Sequence, residues 1–453
     1  MLTPAFKAEA RANLKLALPL IAAQLAGVGM GTVDTIMAGR LGKEALAAVA
    51  VGANLNMAFF VFFMGLLMAC SPIVAQRAGA GQADTRVGAF LREALLLSFG
   101  IAVLWVLGAH LIAGPVLTRL GLAPETAQTA VRFLCAYSWS AFGFCAWFVL
   151  RYVAEGMGVT RPIFFSGVTG LLSNLFLDWV FMYGKLGVPA MGAVGCGWAT
   201  SISALLMAAV LAMQYRLHAP LRDLQVFKWL WPGLRHDAAE ILRLGLPIGL
   251  ILLAEAGLFV LTALLMARFG DVAIAAYQIA INFASVLFMI PLGVGLATTV
   301  RVGQAIGAGN GVAARYSGEV GMKLGLLNAA SNASIMGLFS GLIVALYTDN
   351  DAIARLAVGF LWLAGAFQFF DGLQVTANGA LRGIKDTRVP MLITVAAYWL
   401  VGMPVAWWLA FHTALGPSGL WWGLTVGLAV AAAGLSLRFM SKARRIKSYV
   451  LMP

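Results

Sequence analysis

"RLGKEALAAVAVGANL", residues 40–55, and "RFGDVAIAAYQIAINF", residues 268–283, align without a gap when the chain is laid on itself. In this register Arg40 meets Arg268, Gly42 meets Gly270 and Asn54 meets Asn282. The match continues through Phe60 with Phe288 and Gly65 with Gly293, then sets "QRAGAGQ" at Gln76 against "QAIGAGN" at Gln304. It returns at Pro162 with Pro390 and Trp179 with Trp407. One unit is therefore written twice along the chain.

What that unit is made of follows from composition. The 453 residues are 61% hydrophobic and 11% charged, against roughly 25% charged in soluble domains. A membrane-crossing helix needs about 20 apolar residues. Twelve such stretches begin near residues 14, 46, 93, 130, 162, 190, 242, 273, 319, 356, 389 and 418, and they leave no segment long enough for a soluble catalytic domain. The first is longer than a signal-peptide core and lacks a convincing cleavage site, so it reads as a retained helix. The expected fold is an all-α polytopic membrane protein.

Each copy holds six spans, an even number, so both enter the bilayer from the same side and are related by a pseudo-two-fold axis along the membrane normal. Two six-helix bundles are expected, residues 1–215 and 241–453, joined by a cytoplasmic linker over 216–240, the longest and most polar connection. A cleft between the bundles is the expected path for a transported molecule.

The net charge of +13 is dispersed through the loops, which argues for topology rather than a nucleic-acid partner. With the N-terminus in the cytoplasm, only Arg40, Lys43, Arg119, Arg132, Lys185, Arg268 and Arg355 fall on the outer side, leaving 24 of the 31 basic residues inside. The positive-inside rule then puts both termini in the cytoplasm, across a cell inner membrane.

Four acids interrupt the apolar spans: Asp34, Asp178, Glu255 and Asp371. A charge at mid-bilayer costs roughly 2.5–3.5 kcal/mol on insertion scales, so such residues usually face a cavity and serve a function. Counting about 1.5 Å of rise per residue from the bracketing basic residues sets Asp34 and Asp178 roughly 10 Å inside the outer boundary. Glu255 and Asp371 come out roughly 17 Å from the inner one. The acids thus form two expected pairs, one per half, with no lysine or arginine at their depth. Asn174 lies four residues before Asp178 and shares its helix face; Gln278 and Asn282 share a face in the same way and are candidate cleft-lining residues. In the register of the repeat, Asp34 meets Thr262, Asp178 meets Ala406, Glu255 meets Gly27 and Asp371 meets Gly143. The architecture can therefore be built without a carboxylate at any of these places.

Low-dielectric surroundings penalise the bare charge, so each acid can take up a proton or bind a small cation, then exchange it for an organic cation. Antiport requires such differential affinity. Competing signals are weak. No G-x-x-x-x-G-K-[ST] motif exists to hold ATP phosphates. His110, His218, His236 and His412 are scattered, and Cys70, Cys135, Cys145 and Cys196 show no metal-ligand spacing and read as small packing residues. No nucleophile–base pair appears near an interface, so an integral membrane enzyme is not expected.

Three stretches carry a resemblance. "VDTIMAGRLGKEALAAVAVG" from Val33, "GKLGVPAMGAVGCGWAT" from Gly184 and "LRGIKDTRVP" from Leu381 resemble the multidrug and toxic compound extrusion (MATE) family, in its NorM-type branch, over about Leu14 to Leu437. The resemblance implies a V-shaped pair of bundles that exports cationic, amphipathic drugs and dyes in exchange for Na+ or H+ by alternating access, without a cofactor. It implies that Asp34 acts in coupling or substrate binding, that Asn174 and Asp178 lie in an N-lobe polar cluster, and that Glu255 and Asp371 bind the coupling cation. Some relatives carry a tyrosine four residues before the last acid; this chain has Phe367. The runner-up is a lipid-linked saccharide flippase of the same superfamily, whose polyanionic cargo calls for basic residues in the cleft. Membrane lipids are the only other expected partner, and a monomer is the expected working form.

Overall fold

The structure is a computed structural model and describes residues 3–83, 85–119, 123–226 and 237–450. Among these no strand occurs, and twelve long helices carry the chain. They are α1 (Pro4–Leu41), α2 (Lys43–Gly79), α3 (Thr85–Leu117), α4 (Pro124–Gly156), α5 (Arg161–Tyr183) and α6 (Ala193–Leu217) in the first half. The second half holds α7 (Asp237–Ala267), α8 (Asp271–Gly307), α9 (Gly311–Leu338), α10 (Asp351–Gly383), α11 (Arg388–His412) and α12 (Pro417–Val450). Of the connection 216–240, residues 227–236 lie outside the described residues.

Eleven of the twelve are long and apolar enough to cross a membrane on their own composition. The exception is α9, which carries Asn328, Ser331, Asn332 and Ser334 along its C-terminal half. Its place is secured by packing on α10 and α8.

The duplication governs local geometry. In the register that sets Arg40 on Arg268, the bounds of α2 fall on those of α8, Lys43 on Asp271 and Gly79 on Gly307. Both helices are entered through a glycine with positive φ, Gly42 at 124° and Gly270 at 93°, and both are followed by another, Gly81 at 72° and Gly309 at 69°. Side chains with a Cβ rarely adopt these conformations, so the four glycines fix the turns at both ends of the second span in each copy. Two later helices are capped by side chains instead: Asn310 accepts from the Ala313 amide, and Asn350 from those of Ala352 and Ile353.

The helices form two compact units, one of Ala22–Val74 and Gln82–Gly249, the other of Met1–Ile21, Ala75–Gly81 and Leu250–Pro453. The first unit buries Ala38, Val49, Ala109, Phe133, Met182 and Cys196, one from each of α1 to α6. The second buries Leu258, Tyr277, Met336, Phe360, Tyr398 and Trp421, one from each of α7 to α12.

The first helix of each repeat changes unit part-way. Ala17 and Ile21 of α1 pack with Val294 and Ala297 of α8, while Asp34 belongs to the other unit. In α7 the change falls between Gly249 and Leu250, and a Cβ on Gly249 would meet the Phe62 carbonyl oxygen of α2 at 2.7 Å. The two changes coincide in the register of the repeat, Ala22 falling on Leu250, and each comes shortly after a proline inside its helix, Pro19 and Pro247. A proline there removes one backbone hydrogen bond and weakens the helix locally. Side-chain bonds fasten the N-terminal end of α1: Arg301 donates to Glu9 through Nε at 2.9 Å and Nη2 at 2.6 Å, Ser317 donates to Glu9 at 2.8 Å, and Asn13 donates to Thr298 at 3.0 Å.

Candidate functional site

In the first unit three helices bring polar groups together. α1 supplies Asp34; α5 supplies Asn174 and Asp178, one turn apart; α6 supplies Cys196 and Thr200, also one turn apart. α5 and α6 pack closely along their length, and the Tyr183 hydroxyl donates to the Met37 carbonyl at 2.9 Å, tying α5 to α1 one turn beyond Asp34. One carboxylate oxygen each of Asp34 and Asp178 and the Cys196 sulfur lie within 4.8 Å of one another. The Thr200 hydroxyl lies 3.0 Å from the Cys196 carbonyl and 3.4 Å from Asp34 Oδ2, and Asn174 Nδ2 donates to it at 3.4 Å.

Donors run out before acceptors do. Among the described residues no donor from outside the cluster reaches Asp34 Oδ1, either oxygen of Asp178 or Asn174 Oδ1; the two acids bond only to each other and to their neighbours in the cluster, Cys196 among them. Among the described residues no basic side chain acts on either acid. Buried acceptors without donors are costly and normally rare; a proton or a cation is what completes them. Cys196, read from sequence as a packing residue, and Thr200 stand in this cluster too. Tyr137 of α4 interacts electrostatically with Asp34.

The second unit holds Glu255 on α7 and Asp371 on α10. Asp371 is buried, Glu255 half-buried, and the two interact electrostatically. Gln368, Gln374 and Asn378 stand three before, three after and seven after Asp371, on the same helix face. Gln368 is satisfied: its amide donates to the Ala284 carbonyl at 2.8 Å and its oxygen accepts from Asn332 at 3.4 Å. Asp371 Oδ1, Gln374 Oε1 and Asn378 Oδ1 are not. Tyr398 also lacks a partner for its hydroxyl among the described residues, is fully buried, and interacts electrostatically with both acids. It sits in a single π-helical turn within α11, Ala397–Gly402, a feature that often marks functional positions. Phe367 has no oxygen to offer; its ring packs edge-on to Phe259 at 6.0 Å and Trp421 at 6.1 Å.

Arg382, which bounds the tenth apolar run in the sequence, is itself buried at 5% exposure and acts on Glu255. Gln278 and Asn282 are exposed, and Asn282 accepts a hydrogen bond from the Tyr347 hydroxyl at 3.0 Å. Helical spacing from Asp371 finds Gln374 and Asn378 once that acid has been singled out, whereas α6 carries no acid that would point to Cys196 and Thr200.

A duplicated twelve-helix membrane protein with cation-hungry oxygens inside each unit has the make-up of a secondary transporter. The sequence model of the family described as MatE matches residues 19–180 and again 247–408, two matches in the same register as the internal repeat. A probable multidrug resistance protein NorM of Xanthomonas axonopodis pv. citri is 40% identical over 99% of this chain and 97% of that protein. Multidrug resistance protein PmpM of Pseudomonas aeruginosa is 40% identical over 97% and 93%. Among solved structures, the outward-facing conformation of a multidrug resistance MATE family transporter superposes with a TM-score of 0.87 at 22% identity, covering 97% of each chain. The chain belongs to the multidrug and toxic compound extrusion family, in its NorM-type branch.

Proposed function

We propose that the protein is a multidrug efflux antiporter of the cell inner membrane, exporting cationic, amphipathic drugs and dyes in exchange for Na+ or H+. The carrying observation is the surplus of buried acceptor oxygens around Asp371, with Glu255 beside it and the side-chain oxygens of Tyr398, Gln374 and Asn378 unpartnered among the described residues. Such a set is incomplete until a proton or a cation joins it, and a group whose occupancy differs between states supplies the differential affinity that exchange requires. In this reading Glu255 and Asp371 take the coupling ion, Asp34 takes the ion or the drug, and Asn174 and Asp178 hold Asp34 in place. Gln278 and Asn282, exposed on α8, line the drug's path. Ion binding releases the drug outward and loss of the ion resets the carrier, with bundles 1–215 and 241–453 alternating about the linker 216–240. Both termini face the cytoplasm, and one chain suffices for a cycle that needs no cofactor and forms no covalent intermediate.

A saccharide flippase would need cations where these acids stand. Among the described residues Arg382 is the one basic side chain that acts on either C-terminal acid, which is too little for a polyanionic cargo. The direct test is dye efflux from proteoliposomes carrying either a sodium gradient or a pH gradient. The intact chain should respond to one of them. Glu255→Gln and Asp371→Asn should each abolish the response while leaving expression and melting temperature unchanged. Full efflux in both variants would sink the assignment.

A further inference from the structure

Exchange at carboxylates does not by itself call for sulfur, yet the thiol of Cys196 bonds to both acids of the first unit's cluster. It is fully buried on α6, with its sulfur within 4.8 Å of carboxylate oxygens from both Asp34 and Asp178. Among the described residues no other set of three histidine, cysteine or acidic side chains converges in this way. A metal with donors at about 2.0–2.3 Å spans at most about 4.6 Å between opposite ligands, so these three atoms are a small side-chain adjustment from a coordination shell. A separate observation points to a missing ligand: Asp178 and Asn174 are wholly buried, yet among the described residues no donor from outside the cluster reaches either Asp178 oxygen or Asn174 Oδ1.

The donor types select the ion. Carboxylate and amide oxygens alone would suit hard ions such as Na+, Mg2+ or Ca2+, whereas sulfur shifts preference to soft or borderline cations. Charge selects further, because with no basic side chain among the described residues acting on the acids a divalent ion is neutralised by two of the three acidic groups. We propose that the cluster of Asp34, Asp178 and Cys196 is a binding site for one thiophilic divalent cation of the Zn2+ or Cd2+ type, with Asn174 Oδ1 as a neutral fourth donor. On binding, the sulfur releases its proton to solvent. Thiolate and one carboxylate balance the ion, and the second carboxyl keeps its proton. The consequence for transport rests on the exchange role given above to Asp34: an ion held by all three groups blocks that exchange, so Zn2+ or Cd2+ inhibits efflux.

The test uses the full chain purified in detergent and titrated with Cd2+, reading the ultraviolet thiolate-to-cadmium charge-transfer band. One Cd2+ per chain should bind with the band. Cys196→Ser should lose the band and bind at least tenfold more weakly. Asp178→Asn, which keeps the sulfur, should also weaken binding at least tenfold, which separates the site from any folding defect of the serine variant. Cys145→Ser alters a buried thiol on which no acid acts and should bind like the intact chain. Absence of saturable binding, a band that survives Cys196→Ser, or affinity unchanged in both site variants would overturn the proposal. Binding as described with efflux indifferent to Cd2+ would uphold the site and overturn the exchange role of Asp34.

Discussion

Tyr398 shows what a single hydroxyl contributes. Among the described residues its oxygen has no hydrogen-bond partner although the side chain is fully buried, a condition that costs about 1–3 kcal/mol if nothing completes it. Phe367, one turn before Asp371, offers no oxygen and is committed to the Phe259 and Trp421 rings. Tyr398→Phe removes only that oxygen. Melting temperature should hold or rise, while the coupling-ion concentration for half-maximal dye efflux should increase about tenfold, the effect of losing ~1.4 kcal/mol of ion binding. An unchanged ion dependence would show that the hydroxyl is structural. At this scale the acids were legible in the sequence because a charge in an apolar run is conspicuous. Thr200, Cys196 and Tyr398 were not, since a hydroxyl in a membrane helix can satisfy itself on the carbonyl one turn back, as Thr200 also does on Cys196 at 3.0 Å. Only neighbouring helices reveal the second task.

Helices meet closely where glycines allow it. A Cβ on Gly372, one residue past Asp371, would lie 2.9 Å from the Gly325 carbonyl oxygen and 3.1 Å from the Ala329 Cβ, so α9 and α10 approach backbone to backbone there. Gly372→Ala should force them apart and cost about 1–3 kcal/mol by overpacking. The readout is a fall in melting temperature, with efflux lost as the neighbouring Asp371 shifts. A variant as stable as the intact chain would show that α9 yields freely. Element positions were legible from hydropathy and from the internal repeat, down to the shared bounds of α2 and α8. The unit change within α1 and α7 was not. Both helices are apolar throughout, so periodicity gives the same signal on either side of Pro19 and Pro247, and only packing partners distinguish the two parts.

Across the whole molecule, charge and duplication work together. An even number of spans per repeat sends both copies into the bilayer in one direction, and the orientation proposed above, with 7 basic residues outside and 24 inside, is the one the positive-inside rule favours. The asymmetry is strong at the C-terminus, where Arg438, Lys442, Arg444, Arg445 and Lys447 follow the last apolar run. Moving such a cluster across the membrane is opposed by the inside-negative potential at about 2.3 kcal/mol per charge for each 100 mV. A green fluorescent protein fused after Pro453 should therefore fluoresce in intact cells, because that reporter matures in the cytoplasm, and alkaline phosphatase fused at the same point should stay inactive. Phosphatase inserted after Lys185, in the α5–α6 connection, should be active. The reverse pattern would invert the molecule, placing Asp34 and Asp178 toward the cytoplasm, and outward release of drug through ion binding at Glu255 and Asp371 would have to be abandoned.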